Sequence, residues 1–265
     1  MRFTLHYFTN QSRQTTGLAC VLAFLVSVLA IPDNAGAGSP QDSTPTTGES
    51  HDDPYLICEK GTRQSPIDIS SNTLQDTQGD LIFRYTPTPI QVIHDGHSIQ
   101  AINEAPSLVI FRGNSYQLLQ LHFHEPSEHH LDGIPYSMEM HLVHKNSQGQ
   151  ILVVGVLIQL GTENQEMLRA GDWIRQRLGR RTVEQGEEVT GDFMLDVLKL
   201  LPPNQSHYFT YEGSLTTVPC TEGVTWIVLK QPNEVSPKQV ERFVRAYGHT
   251  ARDVQSLEGR EIQSH

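Results

Sequence analysis

Basic residues are scarce in this sequence: 19 Lys and Arg stand against 30 Asp and Glu in 265 residues, a formal charge of −11. A surface of that sign repels phosphate backbones and anionic headgroups, so partnership with nucleic acid is excluded. The one basic run, at 175–181, is short and reads as the solvated end of a helix. Long apolar runs are lacking too. The most apolar stretch, Leu18–Ile31, is only fourteen residues long, whereas a membrane-spanning helix takes about 20. Cysteine is rare, three in all, so at most one disulfide can form within the chain. No internal repeat occurs, and after Tyr55 nothing resembles a linker.

The short apolar stretch has a different use. It follows a mildly basic segment with Arg2 and Arg13 and precedes Ala35-Gly36-Ala37, a small-x-small cleavage pattern. These are the parts of a secretory signal peptide over residues 1–37. Cys20 lies near the start of the run rather than its end, which argues against a lipid-modified cysteine. Its removal leaves Cys58 and Cys220, an even number in an exported chain, and an oxidising compartment makes their disulfide the expected state. Closing so long a loop stabilises by roughly 4–5 kcal/mol in the chain-entropy picture. Residues 38–53 are almost devoid of apolar side chains and read as a flexible linker. Residues 54–265 then form one domain.

Strand signals dominate that domain. Leu81–Tyr85, Ile90–Ile93, Ser107–Phe111, Tyr116–His124, Glu139–His144, Ile151–Leu160 and Thr225–Leu229 are β-branched or alternating, with Gly, Pro or Asn between them. Gln148-Gly149 reads as a hairpin turn. Helical patterns are few: Asn164–Leu178, Phe193–Leu200, and Pro237–Tyr247, which Ser236-Pro237 opens with a cap and a first-turn proline. The expected fold is mainly β with peripheral helices.

Eight of the thirteen histidines fall between His94 and His144. Strand alternation puts Gln120, His122 and His124 on one face and Leu121 and Phe123 on the other. It likewise groups Glu139, His141 and Val143, leaving Met140 and Leu142 for a core. If the two strands pair antiparallel, His122, His124 and His141 converge. Three imidazoles suit Zn2+ and leave the fourth tetrahedral position open, the arrangement of a catalytic metal. Gln120 and Glu139 share the ligand faces and can hydrogen-bond the second ring nitrogens. A cupin metal motif fits His122, His124 and Glu128 but needs a later Pro-x-Gly-x-x-His, and none follows.

Four blocks occur in order: Gln64–Ile69, Gln120–His124 with Pro126–His129, Glu139–His144, and Tyr211–Cys220. Together they resemble the α-class carbonic anhydrases of the exported bacterial type, from about Cys58 to Ile262. The resemblance implies a single domain on a large, mostly antiparallel twisted sheet of about ten strands. It also implies a zinc lyase (carbonate dehydratase) that reversibly hydrates carbon dioxide to bicarbonate and a proton by a metal-bound hydroxide. His122, His124 and His141 become the metal ligands, Gln120 and Glu139 the partners of His122 and His141, and the Thr250 carbonyl the support of His124. Thr216 becomes the gatekeeper threonine bonded to Glu128, and His97 the proton shuttle, its ordinary pKa near 6.5 suiting proton export. Val143, Val153, Leu215, Thr217 and Trp226 would receive the substrate. The Val218–Pro219 bond is expected to be cis. Carbon dioxide and bicarbonate are the implied small-molecule partners, and the periplasm the implied destination, with no membrane anchor after signal cleavage. An alternative under the same resemblance is a catalytically weak or silent binding domain, because the aromatic segment with which the family usually begins is absent before Cys58.

Overall fold

The computed structural model of the chain describes residues 55–73, 80–95, 98–179 and 181–265. The expected signal peptide and linker, and His97, lie outside the described residues. Among the described residues fourteen strands follow one another: β1 (Asp68–Ile69), β2 (Leu81–Arg84), β3 (Thr88–His94), β4 (Ile99–Ile102), β5 (Leu108–Phe111), β6 (Asn114–His124), β7 (His130–Leu131), β8 (Ile134–Pro135), β9 (Met138–Lys145), β10 (Ile151–Leu160), β11 (Glu188–Leu195), β12 (Tyr208–Ser214), β13 (Glu222–Val235) and β14 (Gln263–Ser264). Three helices accompany them, α1 (Leu56–Lys60), α2 (Gln165–Leu178) and α3 (Pro237–Tyr247).

Eleven strands form one sheet, running β11-β3-β4-β6-β9-β10-β13-β12-β14, with β5 attached to β6 and β2 to β5. Pairing in it is antiparallel except between β10 and β13. The mainly β fold on a large sheet is therefore as the sequence implied. β10 lies in the middle and is buried on both faces from Leu152 to Ile158, which is why it reads as an unbroken apolar run rather than an alternating one. The Asn146–Gln150 turn joins it to β9, and Gly149 takes φ of 85° there, a conformation glycine adopts without penalty.

One expected helix is corrected. Phe193–Leu200 is not a helix: Phe193–Leu195 end β11, and only Val197–Leu200 form a single 3-10 turn. β3 offers backbone groups on the side away from β4, and β11 pairs with them antiparallel. Tertiary pairing outweighs a weak local helical pattern. The other two helices form where expected. Asn164 caps α2 by accepting from the Met167 amide, and Ser236 with Gln239 builds a capping box at α3.

Cys58 and Cys220 are joined, their Cα atoms 5.0 Å apart across 162 residues of sequence. The bond ties the segment before β1 to the loop between β12 and β13. Cys58→Ser with Cys220→Ser is expected to cost about 2–5 kcal/mol, read as a lowered urea midpoint against the oxidised chain.

His144 sits in the core between β9 and its neighbours. Its Nε2 lies 2.7 Å from the Tyr85 hydroxyl and its Nδ1 3.3 Å from the Leu152 carbonyl. The carbonyl can only accept, so Nδ1 donates to it and Nε2 accepts from Tyr85. Burial lowers the His144 pKa to about 3. An unfolded chain binds a proton there that the folded chain refuses, so this contribution is complete above pH 6.5 and is lost as pH falls toward 3. His144→Gln is expected to flatten the fall in unfolding free energy between pH 6 and 4 by roughly 1 kcal/mol per unit, measured by urea titration at each pH.

Candidate metal centre

The centre follows from one register. β6 and β9 pair antiparallel with His122 opposite His141, Gln120 opposite Val143 and His124 opposite Glu139. Paired residues share a face, so the three imidazoles meet on one side of the sheet. Their ring centroids are 4.9 Å (His122–His124), 5.2 Å (His122–His141) and 4.7 Å (His124–His141) apart. One nitrogen from each lies within 4.8 Å of the others, and all three residues are buried.

The second ring nitrogens of His122 and His124 are hydrogen-bonded, which fixes the atom each of those rings can offer. His122 Nδ1 is 2.8 Å from Gln120 Oε1, and His124 Nδ1 is 3.1 Å from the Thr250 carbonyl. Both acceptors require an Nδ1–H, leaving Nε2 as a lone-pair donor. His141 is turned the other way: its Nε2 lies 3.0 Å from Glu139 Oε1, a charge contact without hydrogen-bond geometry, and its Nδ1, the atom left to offer, lies 3.8 Å from Glu128 Oε2. His124 Nε2 is buried with no partner, an arrangement that is costly unless a cation takes the lone pair. The residues present therefore fit a metal ion bound through three neutral imidazoles.

Electrostatics favour the same state. Burial is the main cause that pulls the His122 pKa well down, helped by its neighbours His141 and His124. Burial also lowers His124, against the pull of Glu128. His141 departs from this: burial pushes it down, but the adjacent Glu139 and then Glu128 carboxylates outweigh that, so it is raised. Glu139 itself is well below the carboxylate range because His129 and His141 offset its burial.

Glu139 is held as firmly as it holds His141. Its Oε2 accepts from the backbone amides of Glu128 (3.0 Å) and His129 (2.8 Å), and its Oε1 from His129 Nδ1 (2.8 Å). His129 Nε2 then accepts from the Tyr211 hydroxyl at 2.7 Å, which lies 2.8 Å from Ser65 Oγ. This chain explains why His129, Glu139 and His141 also cluster. Sequence reasoning missed His129 and Ser65 as parts of it, although both stand inside quoted motif blocks.

Glu128 lies behind the three histidines and is buried. Its Oε1 accepts the Arg252 amide at 2.9 Å, while Oε2 has no hydrogen-bond partner and lies 3.8 Å from His141 Nδ1. Thr216 is half-buried in the loop after β12, and its hydroxyl does not reach that oxygen in this structure. The same loop holds the cis Val218–Pro219 bond and Cys220, whose φ of 55° is unusual for a residue with a side chain. Arg252 was not anticipated either. Its guanidinium binds the Cys58 and Ser65 carbonyls and Gln64 Oε1, joining the C-terminal segment to the chain before β1.

Val143, Val153 and Trp226 are register neighbours across β9, β10 and β13. Leu215 packs on the same cluster, and Trp226 Nε1 donates to the Ser214 carbonyl at 2.9 Å. Thr217 is half-buried, its carbonyl accepting from the Cys220 amide at 2.8 Å. The structure thus brings the apolar residues together beside the histidines. Gly155, opposite His141 on β10, has a steric role: a Cβ there would lie 2.7 Å from Glu139 Oε1.

Gly155→Ala is expected to displace that carboxylate and weaken metal binding about 10–100-fold, the range for losing an outer partner of a ligand. Competition with a chelator measures it, and a retained far-UV spectrum separates this from unfolding.

Comparison with known proteins places this geometry. The model of the eukaryotic-type carbonic anhydrase family matches residues 47–265. The carbonic anhydrase of Klebsiella pneumoniae is 38% identical over 230 residues, covering 86% of this chain and 88% of its own. That of Nostoc sp. is 36% identical over 210 residues, covering 78% and 77%. The α-carbonic anhydrase of Thermovibrio ammonificans, solved with the inhibitor sulfanilamide, superposes with a TM-score of 0.71 at 37% identity, over 79% of this chain and 90% of its own.

Proposed function

This chain belongs to the eukaryotic-type, or α, carbonic anhydrase family, and from that premise we propose how it hydrates carbon dioxide reversibly to bicarbonate and a proton. The observation that carries the reading is three buried imidazoles with one ring nitrogen from each within 4.8 Å of the others. Neutral nitrogen donors in that number select Zn2+ over the hard, oxygen-seeking cations. Bound there, zinc would lower the pKa of a water to about 7 and so supply a nucleophile at neutral pH.

The remaining work belongs to the chain. Glu128 Oε2, buried and unpartnered, is an acceptor when ionised, so the Thr216 hydroxyl would donate to it and use its own lone pairs to orient the nucleophile. Val143, Val153, Leu215 and Trp226 form an apolar wall for a substrate without charge or dipole, with Thr217 at its edge. His97 accepts the released proton and passes it to buffer. Gln120 and Glu139 hold the ligand rings in the required tautomers. Residues 1–37 direct export, 38–53 serve as a linker, and 54–265 form the catalytic domain, which works in the periplasm.

Carbon dioxide hydration by the zinc-loaded, oxidised chain, followed by stopped flow, tests this. His141→Ala is expected to lose stoichiometric zinc and fall to the buffer rate, and Thr216→Ala to lose about 100-fold through misorientation alone. His97→Ala should lower kcat, leave kcat/KM unchanged, and recover in imidazole buffer. A zinc-loaded wild-type chain with no rate above buffer would overturn the proposal.

A further inference from the structure

The strand that carries His122 and His124 lines, with β3 and β4, a second space on its opposite face. Alternation turns Leu121 and Phe123 away from His122 and His124, and both line a cavity of about 680 Å3 bounded by α2 and α3. That volume lies in the range of small-molecule sites. α2 presents Met167, Ala170, Gly171, Ile174 and Leu178, and α3 presents Phe243 and Ala246, each set at helical spacing on one side.

Two further observations point to what fits there. The first concerns bulk: α2 keeps Ala170 and Gly171 side by side at the cavity, and a Cβ at Gly171 would meet nothing within 4 Å. A mid-helix glycine weakens the helix, and this exposed one adds no bulk at the rim of the cavity. The second concerns charge. In a chain of net charge −11, the cavity lining includes four arginines, at 175, 181, 242 and 245, and one acid, Asp172. Glu187 engages Arg181, and Glu241 engages Arg245. Arg175 and Arg242 share the single carboxylate of Asp172, at 3.1 and 3.7 Å. A guanidinium has five N–H donors, so this pair keeps donors and one unit of positive charge beyond what Asp172 uses.

We propose that this cavity binds a free single-chain carboxylate, a medium-chain fatty acid. Its hydrocarbon tail lies over Leu121 and Phe123, and its carboxylate meets Arg175 and Arg242, which already hold a carboxylate between them. The volume suits one acyl chain rather than the two of a bilayer lipid. The site is independent of the reading of the metal centre, although its floor is the strand that carries two of the histidines.

Isothermal titration of the oxidised chain with dodecanoate, below its micelle concentration, tests this against dodecyltrimethylammonium. Saturable one-to-one binding of dodecanoate is expected, at least tenfold tighter than the cation of equal chain length. Gly171→Phe places bulk at the rim of the cavity and is expected to weaken dodecanoate at least tenfold without lowering Tm or the hydration rate. If that variant melts early, Ala246→Leu closes the space from α3 and is read the same way. Arg175→Gln with Arg242→Gln should weaken dodecanoate about fivefold and leave dodecanol unchanged. Equal affinity for the cation, binding indifferent to a folded cavity-filling variant, or binding to anionic vesicles without binding of monomeric dodecanoate would each overturn the proposal.

Discussion

The register between β6 and β9 is the constraint on which the rest depends. With His122 opposite His141, three imidazoles from two strands share a face; a slip of one residue would send one strand's histidines to the other side. Leu121, Met140 and Leu142 enforce the register by alternating into the core, where all are buried. Each contributes about 1.5–3 kcal/mol on burial, and a slip would forfeit that from every core residue of the strand that slipped. Burying three imidazoles is unfavourable by itself, so the apolar face of the same strands offsets the cost of the polar one.

Around that register the polar groups are satisfied in series. Glu139 takes two backbone amides, His129 and His141, and His129 passes the connection through Tyr211 to Ser65 near the disulfide. A buried carboxylate with so many donors stays ionised and fixed, which is what a ring that must present Nδ1 needs behind it. At the centre itself His124 Nε2 and Glu128 Oε2 are buried without a hydrogen-bond partner. They lie where a cation and a hydroxyl donor belong, so the unsatisfied groups mark the place of chemistry rather than a packing fault.

One sheet therefore serves two environments. Its polar face gathers charge and hydrogen bonds into a small volume. Its other face, under α2 and α3, is apolar and incompletely filled, because the helices present alanine and glycine toward it. Side chains one residue apart on β6 face these two environments.

Much of this was legible in the residues themselves. A strand's side-chain period is two, so Gln120-Leu121-His122-Phe123-His124 and Glu139-Met140-His141 declare which residues share a face without any knowledge of neighbours. The motif blocks carried the family and hence the large sheet. The 193–200 segment misled because a local helical pattern says nothing of an available partner at β3. The Thr250 carbonyl behind His124 followed only from the resemblance, and the Arg252 clamp from nothing in the sequence; their partners lie 126 and up to 194 residues away. Local alternation is written into the chain by covalent geometry, whereas the hydrogen bonds that aim each ring, and the space left between two helices, exist only once distant segments have packed.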